Sequence, residues 1–302
     1  MKKNRLGQSD LFISEVGLGC MSLGTEEKKA VELVRRALDL GVTFLDTADL
    51  YDEGRNEELV GKAIRGRRSE VVLATKVGNR RVPGREGWTW DPSKAYIKSA
   101  VKDSLKRLQT DYIDLYQLHG GTLEDPIDET IEAFEELKEE GLIRHYGISS
   151  IRPNVIREYV KRSGIVSVMS QYSILDRRPE EEVLPLLEGK GISLIARGPV
   201  ARGLLTASGE EKAAQGYLDY SPEELPQVRR QLLEAAGPDR DPGHTAIRYA
   251  LSHPAVAAVI PGASSLEQLA HNAEAAAADL LSAEELEEIR RISKASRYAQ
   301  HR

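Results

Sequence analysis

One cysteine, Cys20, in 302 residues leaves no partner for an internal disulfide. It also excludes a Cys-rich metal site. Long apolar runs are missing: nothing approaches the roughly 18 consecutive apolar residues of a membrane-spanning helix. The start, Met1-Lys2-Lys3-Asn4-Arg5, is basic, but no apolar stretch follows it, so no secretory signal is expected. Positive charge is not in excess either: 42 Lys and Arg stand against 48 Asp and Glu, a net charge of −6. No basic stripe offsets that balance. Arg80, Arg81 and Arg85 are too few and sit in a Gly/Pro loop, which argues against nucleic-acid binding. A cytoplasmic protein with neither membrane nor nucleic-acid partner is expected, in a single domain over 1–302.

What the chain has is repetition. Short apolar or β-branched runs occur at 16–20, 42–47, 71–76, 112–119, 143–149, 166–171, 192–197 and 256–260. Amphipathic helical patterns lie between them. Ile97, Ala100, Val101, Ser104, Leu105 and Leu108 recur at i, i+3, i+4 spacing. Ile127, Ile131, Phe134 and Leu137 form a second such face, opened by Asp125-Pro126 and closed by Gly141. Ala30, Leu33, Val34, Ala37 and Leu38 form another, ending at Gly41. Strands alternating with helices imply a parallel sheet with helical crossovers.

An open doubly wound sheet and a closed barrel share this pattern. Eight repeats without a compositional break favour the barrel. So does the first strand's end, Gly17-Leu18-Gly19-Cys20-Met21-Ser22-Leu23-Gly24, where the third glycine comes too late for G-x-G-x-x-G. The expected fold is an α/β (β/α)8 barrel. Residues 3–15 are expected to form a β-hairpin closing its bottom. Residues 282–298, opened by the capping-box pattern Ser282-Ala-Glu-Glu285, read as an added C-terminal helix. Two long loops, 78–91 and 203–243, belong to the face where such barrels carry their sites.

Three polar residues stand at or just past the ends of successive strands on that face, Asp46, Lys76 and His119, and Tyr51 follows Asp46 by five residues. A phenol, with an ordinary pKa near ~10, is a poor acid at neutral pH. A cationic neighbour such as Lys76 lowers that pKa. Asp46 can hold the lysine, and His119 can bond the same oxygen as the phenol. Such a set suits proton donation to a carbonyl oxygen as hydride arrives at carbon. No metal-ligand set is visible, so an organic cofactor is the expected hydride source.

Several long motifs point to one family. They are Gly17-Leu18-Gly19-Cys20-Met21, Phe44-Leu45-Asp46-Thr47-Ala48-Asp49-Leu50-Tyr51, Asn56-Glu57-Glu58-Leu59-Val60-Gly61 and Ala74-Thr75-Lys76-Val77-Gly78. Asp111-Tyr112-Ile113-Asp114-Leu115-Tyr116-Gln117-Leu118-His119, Gly147-Ile148-Ser149, Gln171-Tyr172, Gly203-Leu204-Leu205 and Ile260-Pro261-Gly262-Ala263 follow in order. Together they resemble the aldo-keto reductase superfamily across essentially the whole chain. The nearest group is that of bacterial reductases related to potassium-channel β subunits.

The resemblance implies an NADP-dependent oxidoreductase acting on small carbonyl compounds, with NADPH preferred over NADH and a monomeric state. Its tetrad falls on Asp46, Tyr51, Lys76 and His119, with Tyr51 the general acid. His119 would orient the carbonyl and help relay the proton. Cofactor contacts are implied at Gly19, Cys20, Met21, Asp46, Ser149, Gln171, Arg197, Gly198, Pro199, Gly203, Leu204, Gly262, Ser264, Gln268 and Asn272. Trp88 and Trp90 are candidates for the substrate-pocket wall; solvent-shielding packing explains them equally well. For Cys20 a small buried residue is the better reading.

Two positions depart from the family pattern. Arg197 stands where an aromatic residue usually stacks on nicotinamide; its guanidinium can stack in turn or point to the cofactor phosphates. Between Pro261 and Asn272 there is no Lys or Arg for a 2′-phosphate, only Ser264, Ser265, Gln268 and His271. Two rival functions stay open: an NADPH-binding sensor or regulatory module with slow turnover, and a barrel isomerase or lyase using Lys76 as a Schiff base.

Overall fold

A computed structural model describes residues 1–302 apart from Pro83 and Arg85. Arg85, counted above among the loop arginines, therefore lies outside the described residues. Eight strands form one parallel sheet, each beside its neighbour in sequence. They are Leu18–Gly19, Phe44–Asp46, Val72–Val77, Ile113–Leu118, Ile143–Ser149, Ser167–Gln171, Ser193–Arg197 and Val256–Ile260. The first and last strands meet. Val16 bridges Val259 and Gly19 bridges Gly262, both parallel. The Gly17 N–H donates to the Val259 carbonyl at 2.8 Å, and the Val259 N–H to the Glu15 carbonyl at 2.9 Å. The open-sheet alternative is thereby excluded, and the fold is a (β/α)8 barrel.

Helices cover the outside of the sheet. The three apolar stripes form Glu27–Asp39, Lys94–Leu108 and Ile127–Glu139, each burying the face its spacing marks. Phe134 on the third lies parallel to Tyr146 of the fifth strand, ring centroids 5.2 Å apart. Inside the barrel, Phe44, Ala74, Leu115, Met169, Ile195, Ala258 and Ile260 pack together with Leu6, Leu11 and Ile13. The last three come from the N-terminal hairpin, Lys3–Arg5 paired with Phe12–Ser14. Asn4 fixes it by donating to the Ala257 carbonyl at 2.8 Å. At its turn Gly7 has φ +55°, and a Cβ there would lie 2.2 Å from the Val166 carbonyl oxygen. Only glycine lets the hairpin seat this closely.

Both long loops hold more regular structure than a sequence pattern reveals. Within 78–91, Asn79–Arg81 pairs antiparallel with Trp88–Trp90. Within 203–243 lie a short helix, Glu210–Ala213, and a longer one, Leu225–Ala236. Leu225, Val228 and Leu232 supply the buried face of the latter. Pro226 obscures that stripe, yet it sits in the first turn, where its missing N–H has no intrahelical partner to lose. The C-terminal helix, Ala283–Ile292, packs on this one. Its capping box forms at Ser282 and Glu285, but the helix stops well short of residue 298.

Candidate active site

Side chains on a strand alternate between faces, so the residue two beyond an interior packer also points inward. That rule builds the site. Phe44, Ala74, Leu115, Met169 and Ile195 form the apolar interior. Two residues on are Asp46, Lys76, Gln117, Gln171 and Arg197, with His119 a further step beyond Gln117. The barrel is filled by apolar side chains below and by polar ones at the strand ends. Parallel register sets their heights: Gly19 pairs with Asp46, Asp46 with Ala74 and Lys76 with Gln117, so Lys76 stands two residues above the level of Asp46.

Lys76 is the centre of the group and only 1 % exposed. Its ammonium donates to Asp46 Oδ2 at 2.7 Å, to the Thr47 carbonyl at 2.7 Å and to the Tyr51 hydroxyl at 3.1 Å. The Gln117 amide donates to the other Asp46 oxygen at 3.2 Å. Tyr51 reaches the group from the turn after the second strand. Asp52 and Glu53, both at positive φ, and Gly54 at φ +84° reverse the chain there before the helix Arg55–Ile64. The His119 ring stands edge-on to the Tyr51 ring, centroids 6.1 Å apart at 85°. Its Nδ1 is buried without a hydrogen-bond partner among the described residues.

Burial sets the protonation of these groups. It opposes the charge on Lys76, but Asp46 and Tyr51 more than reverse this and hold the lysine pKa above its ordinary value. Burial also pushes the Asp46 carboxyl up, against Lys76 and Gln117. Burial, reinforced by the charges of Lys76 and Arg197, drives His119 down to about 3, so its imidazole stays neutral at physiological pH. Tyr51 corrects the expectation from sequence. Lys76 does pull the phenol pKa down, yet burial outweighs it and the net direction is upward. The phenol therefore holds its proton throughout the neutral range.

Further polar groups extend from this centre. Gln171 donates to the Tyr217 hydroxyl at 2.8 Å and accepts from Arg197 at 3.1 Å. Arg197 thus faces the site rather than pointing away from it, and its charge is felt at Asp46, Tyr51 and His119. Beyond Gln171 opens a groove of about 700 Å³, lined among others by Arg202, Gly216 and Tyr217. Ser149 ends the fifth strand, half-buried. The segment from Gly198 through Pro199 to Leu204 turns with Gly198 at φ +65° and Gly203 at φ +87°. Buried Arg229 ties it down by donating to the Leu204, Thr206 and Ala207 carbonyls. After the eighth strand, Asn272 donates to the Gly262 carbonyl at 3.1 Å. The Ser264 N–H and hydroxyl both donate to Gln268. Ser264 and Gln268 lie at the N-terminus of the helix Leu266–Glu274, capped by Ser265, while Asn272 reaches the Gly262 carbonyl from its last turn.

Six further residues expected at the cofactor or in the pocket wall take the following places. The Cys20 side chain is fully buried in the core, close enough to Asp46 and Lys76 to feel their charges. The Leu204 side chain is likewise buried in the core. Gly19 belongs to the barrel seam, where a Cβ would lie 2.9 Å from the Ile260 carbonyl. Trp88 is 52 % exposed, on the strand that pairs with Asn79–Arg81. Met21 is also exposed, beside the first strand's end. Trp90, in contrast, lies over Gly78 and Gly120 and donates to Asp125 at 2.9 Å. Gly78 has φ +125°, and a Cβ there would meet the indole at 2.5 Å.

Sequence reasoning missed Gln117, Tyr217 and Arg202. Gln117 was accessible by counting two residues back from His119 along the same strand. Tyr217 and Arg202 carry no local signal; a loop alone brings them to Gln171.

The Aldo/keto reductase family model matches residues 15–294. The chain is 61 % identical over 307 residues to the uncharacterized oxidoreductase YqkF of Bacillus subtilis (strain 168), covering both chains fully. It superposes with a TM-score of 0.96 on the holo form of aldo-keto reductase AKR11C1 from Bacillus halodurans. That match is 60 % identical and covers 100 % of this chain and 99 % of the other. A Klebsiella pneumoniae aldo/keto reductase in complex with NADP and acetate aligns at TM-score 0.79 and 29 % identity, over 98 % of each chain. The chain belongs to the aldo/keto reductase family and is an oxidoreductase.

Proposed function

We propose that this aldo/keto reductase reduces aldehydes, with ketones as the second substrate class, using NADPH in preference to NADH. The carrying observation is the Lys76 ammonium, which binds Asp46 at 2.7 Å and the Tyr51 hydroxyl at 3.1 Å at one end of the barrel. A nicotinamide nucleotide fits the residues beside it. Gln171 presents an amide to an open groove, and Ser149 ends the adjacent strand. Gln171 and Ser149 would hold the carboxamide, with Arg197 alongside the ring. Arg202 and the Gly198–Leu204 turn would take the pyrophosphate. Ser264, Gln268, Asn272 and the N-terminus of Leu266–Glu274 would take the adenosine end, where helix amides favour anions. When bound, the reduced cofactor supplies hydride to the carbonyl carbon.

The chain's own residues handle the proton. Tyr51 donates from its hydroxyl to the carbonyl oxygen. Lys76, bonded to that hydroxyl, stabilises the phenolate left behind. Asp46 and the Thr47 carbonyl hold the ammonium in place, and Gln117 holds Asp46. His119 stays neutral and positions the substrate oxygen by hydrogen bonding; an imidazolium relay is not required. A Schiff-base role for Lys76 is disfavoured, because an amine held protonated by Asp46 is a poor nucleophile.

Tyr51→Phe tests the assignment. Steady-state aldehyde reduction is expected to fall by at least about 10²-fold, while nicotinamide fluorescence titration still shows cofactor binding. Near-parental turnover in that variant would remove Tyr51 as the acid. Parental turnover that is itself far slower than cofactor exchange would instead favour a sensor role.

A further inference from the structure

No metal-ligand spacing is visible in the sequence, yet the fold assembles one set away from the catalytic centre. Asp241 is the N-cap of the helix Pro242–Leu251, His244 lies in that helix's first turn, and His271 sits near the end of Leu266–Glu274. One nitrogen of each imidazole and one carboxylate oxygen lie within 4.8 Å of one another. His271 Nε2 is 3.0 Å from Asp241 Oδ1. The two rings are 4.5 Å apart. All three residues are half-buried, so the cluster is open to solvent on one side.

We propose that Asp241, His244 and His271 bind one divalent first-row transition-metal ion, such as Zn(II). Metal–ligand bonds of about 2.0–2.1 Å to two donors 3.0 Å apart make an angle of roughly 95° at the metal, within the range such ions accept. Imidazole donors select zinc, nickel, cobalt or copper over magnesium and calcium. The surroundings are arranged as metal-site surroundings usually are. His244 Nε2 donates to the His271 carbonyl at 2.9 Å, so a neutral ring carries its lone pair on Nδ1. Gly243 lets the second imidazole approach, since a Cβ there would lie 2.8 Å from His271 Cε1. A bound ion would clamp the helix carrying Gln268 and Asn272 to the helix before it. The site stands on the geometry of these three side chains and not on the reductase reading.

The test is titration of chelator-treated, cofactor-free protein with Co(II) and Zn(II). One equivalent is expected to bind at micromolar or lower concentration, with visible bands of low-coordinate Co(II) that Zn(II) abolishes. His271→Gln and His244→Ala are each expected to weaken binding at least tenfold. The metal should raise Tm in the parent and not in the variants, while the metal-free Tm of His271→Gln stays close to the parental value. Absence of stoichiometric binding in the parent overturns the proposal. So does binding of parental strength in both variants.

Discussion

Replacing Lys76 by methionine separates the lysine's structural role from its chemical one. The ammonium is 1 % exposed and makes hydrogen bonds to Asp46, the Thr47 carbonyl and Tyr51. Methionine fills similar volume but leaves the Asp46 carboxylate, itself 2 % exposed, with Gln117 as its remaining partner. Breaking one side of a buried pair costs about 3–5 kcal/mol. Removing both charges, as in Lys76→Met with Asp46→Asn, is expected to return stability to within about 1–2 kcal/mol of the parent. Reductase activity should follow a different course. It should fall at least about 10²-fold in Lys76→Met and stay low in the double variant, because no ammonium remains to stabilise the Tyr51 phenolate. Urea denaturation and steady-state aldehyde reduction on the same preparations give both readouts. A single variant destabilised by less than about 1 kcal/mol would show that the pair is neither buried nor charged as described. Recovery of activity in the double variant would refute the role of the ammonium in proton donation.

Two further outcomes are expected. Asp49, 9 % exposed, is raised to about 7 by burial and by the nearby Glu57 carboxylate. A carboxyl raised above its unfolded value stabilises the fold at low pH and loses that contribution as pH climbs from about 4 through 7. Asp49→Asn is therefore expected to gain up to about 2–3 kcal/mol relative to the parent between about pH 5 and about pH 7.5, by urea denaturation. An unchanged difference at the two pH values would rule out the shift. Ser264 is exposed and followed by no Lys or Arg before Asn272, so Ser264→Arg is expected to improve NADPH binding several-fold over NADH. An unaltered ratio in paired titrations would place the 2′-phosphate elsewhere.

Much of this protein is written in local pattern. Apolar runs alternating with 3.6-period stripes specify strands and helices, because each must bury one face or one stripe. The eightfold repeat separates a barrel from an open sheet. Strand periodicity then aims Asp46, Lys76 and His119 at the barrel mouth, since each lies an even number of residues beyond an interior packer. The helix Leu225–Ala236 and the Asn79–Trp90 hairpin were less legible. The helix packs on the distant C-terminal helix and the hairpin is anchored by Trp90 on Asp125, while Pro226 masks the helical stripe.

Other properties exist only once the chain closes. Tyr51 carries the lysine that lowers its pKa and the burial that raises it, and the balance depends on how much solvent the folded barrel removes. Residue types alone indicate the first effect, while only packing supplies the second. Arg197 was open to either stacking or phosphate binding until the fold set it 3.1 Å from Gln171. Asp241 and His244 share the first turn of one helix and His271 lies 27 residues on in another, so no local spacing joins all three. The sequence by itself therefore determined the scaffold and the order of the polar residues along it. The tertiary structure decided their charges and their partners, because electrostatic energies depend on distance and dielectric rather than on position in the chain.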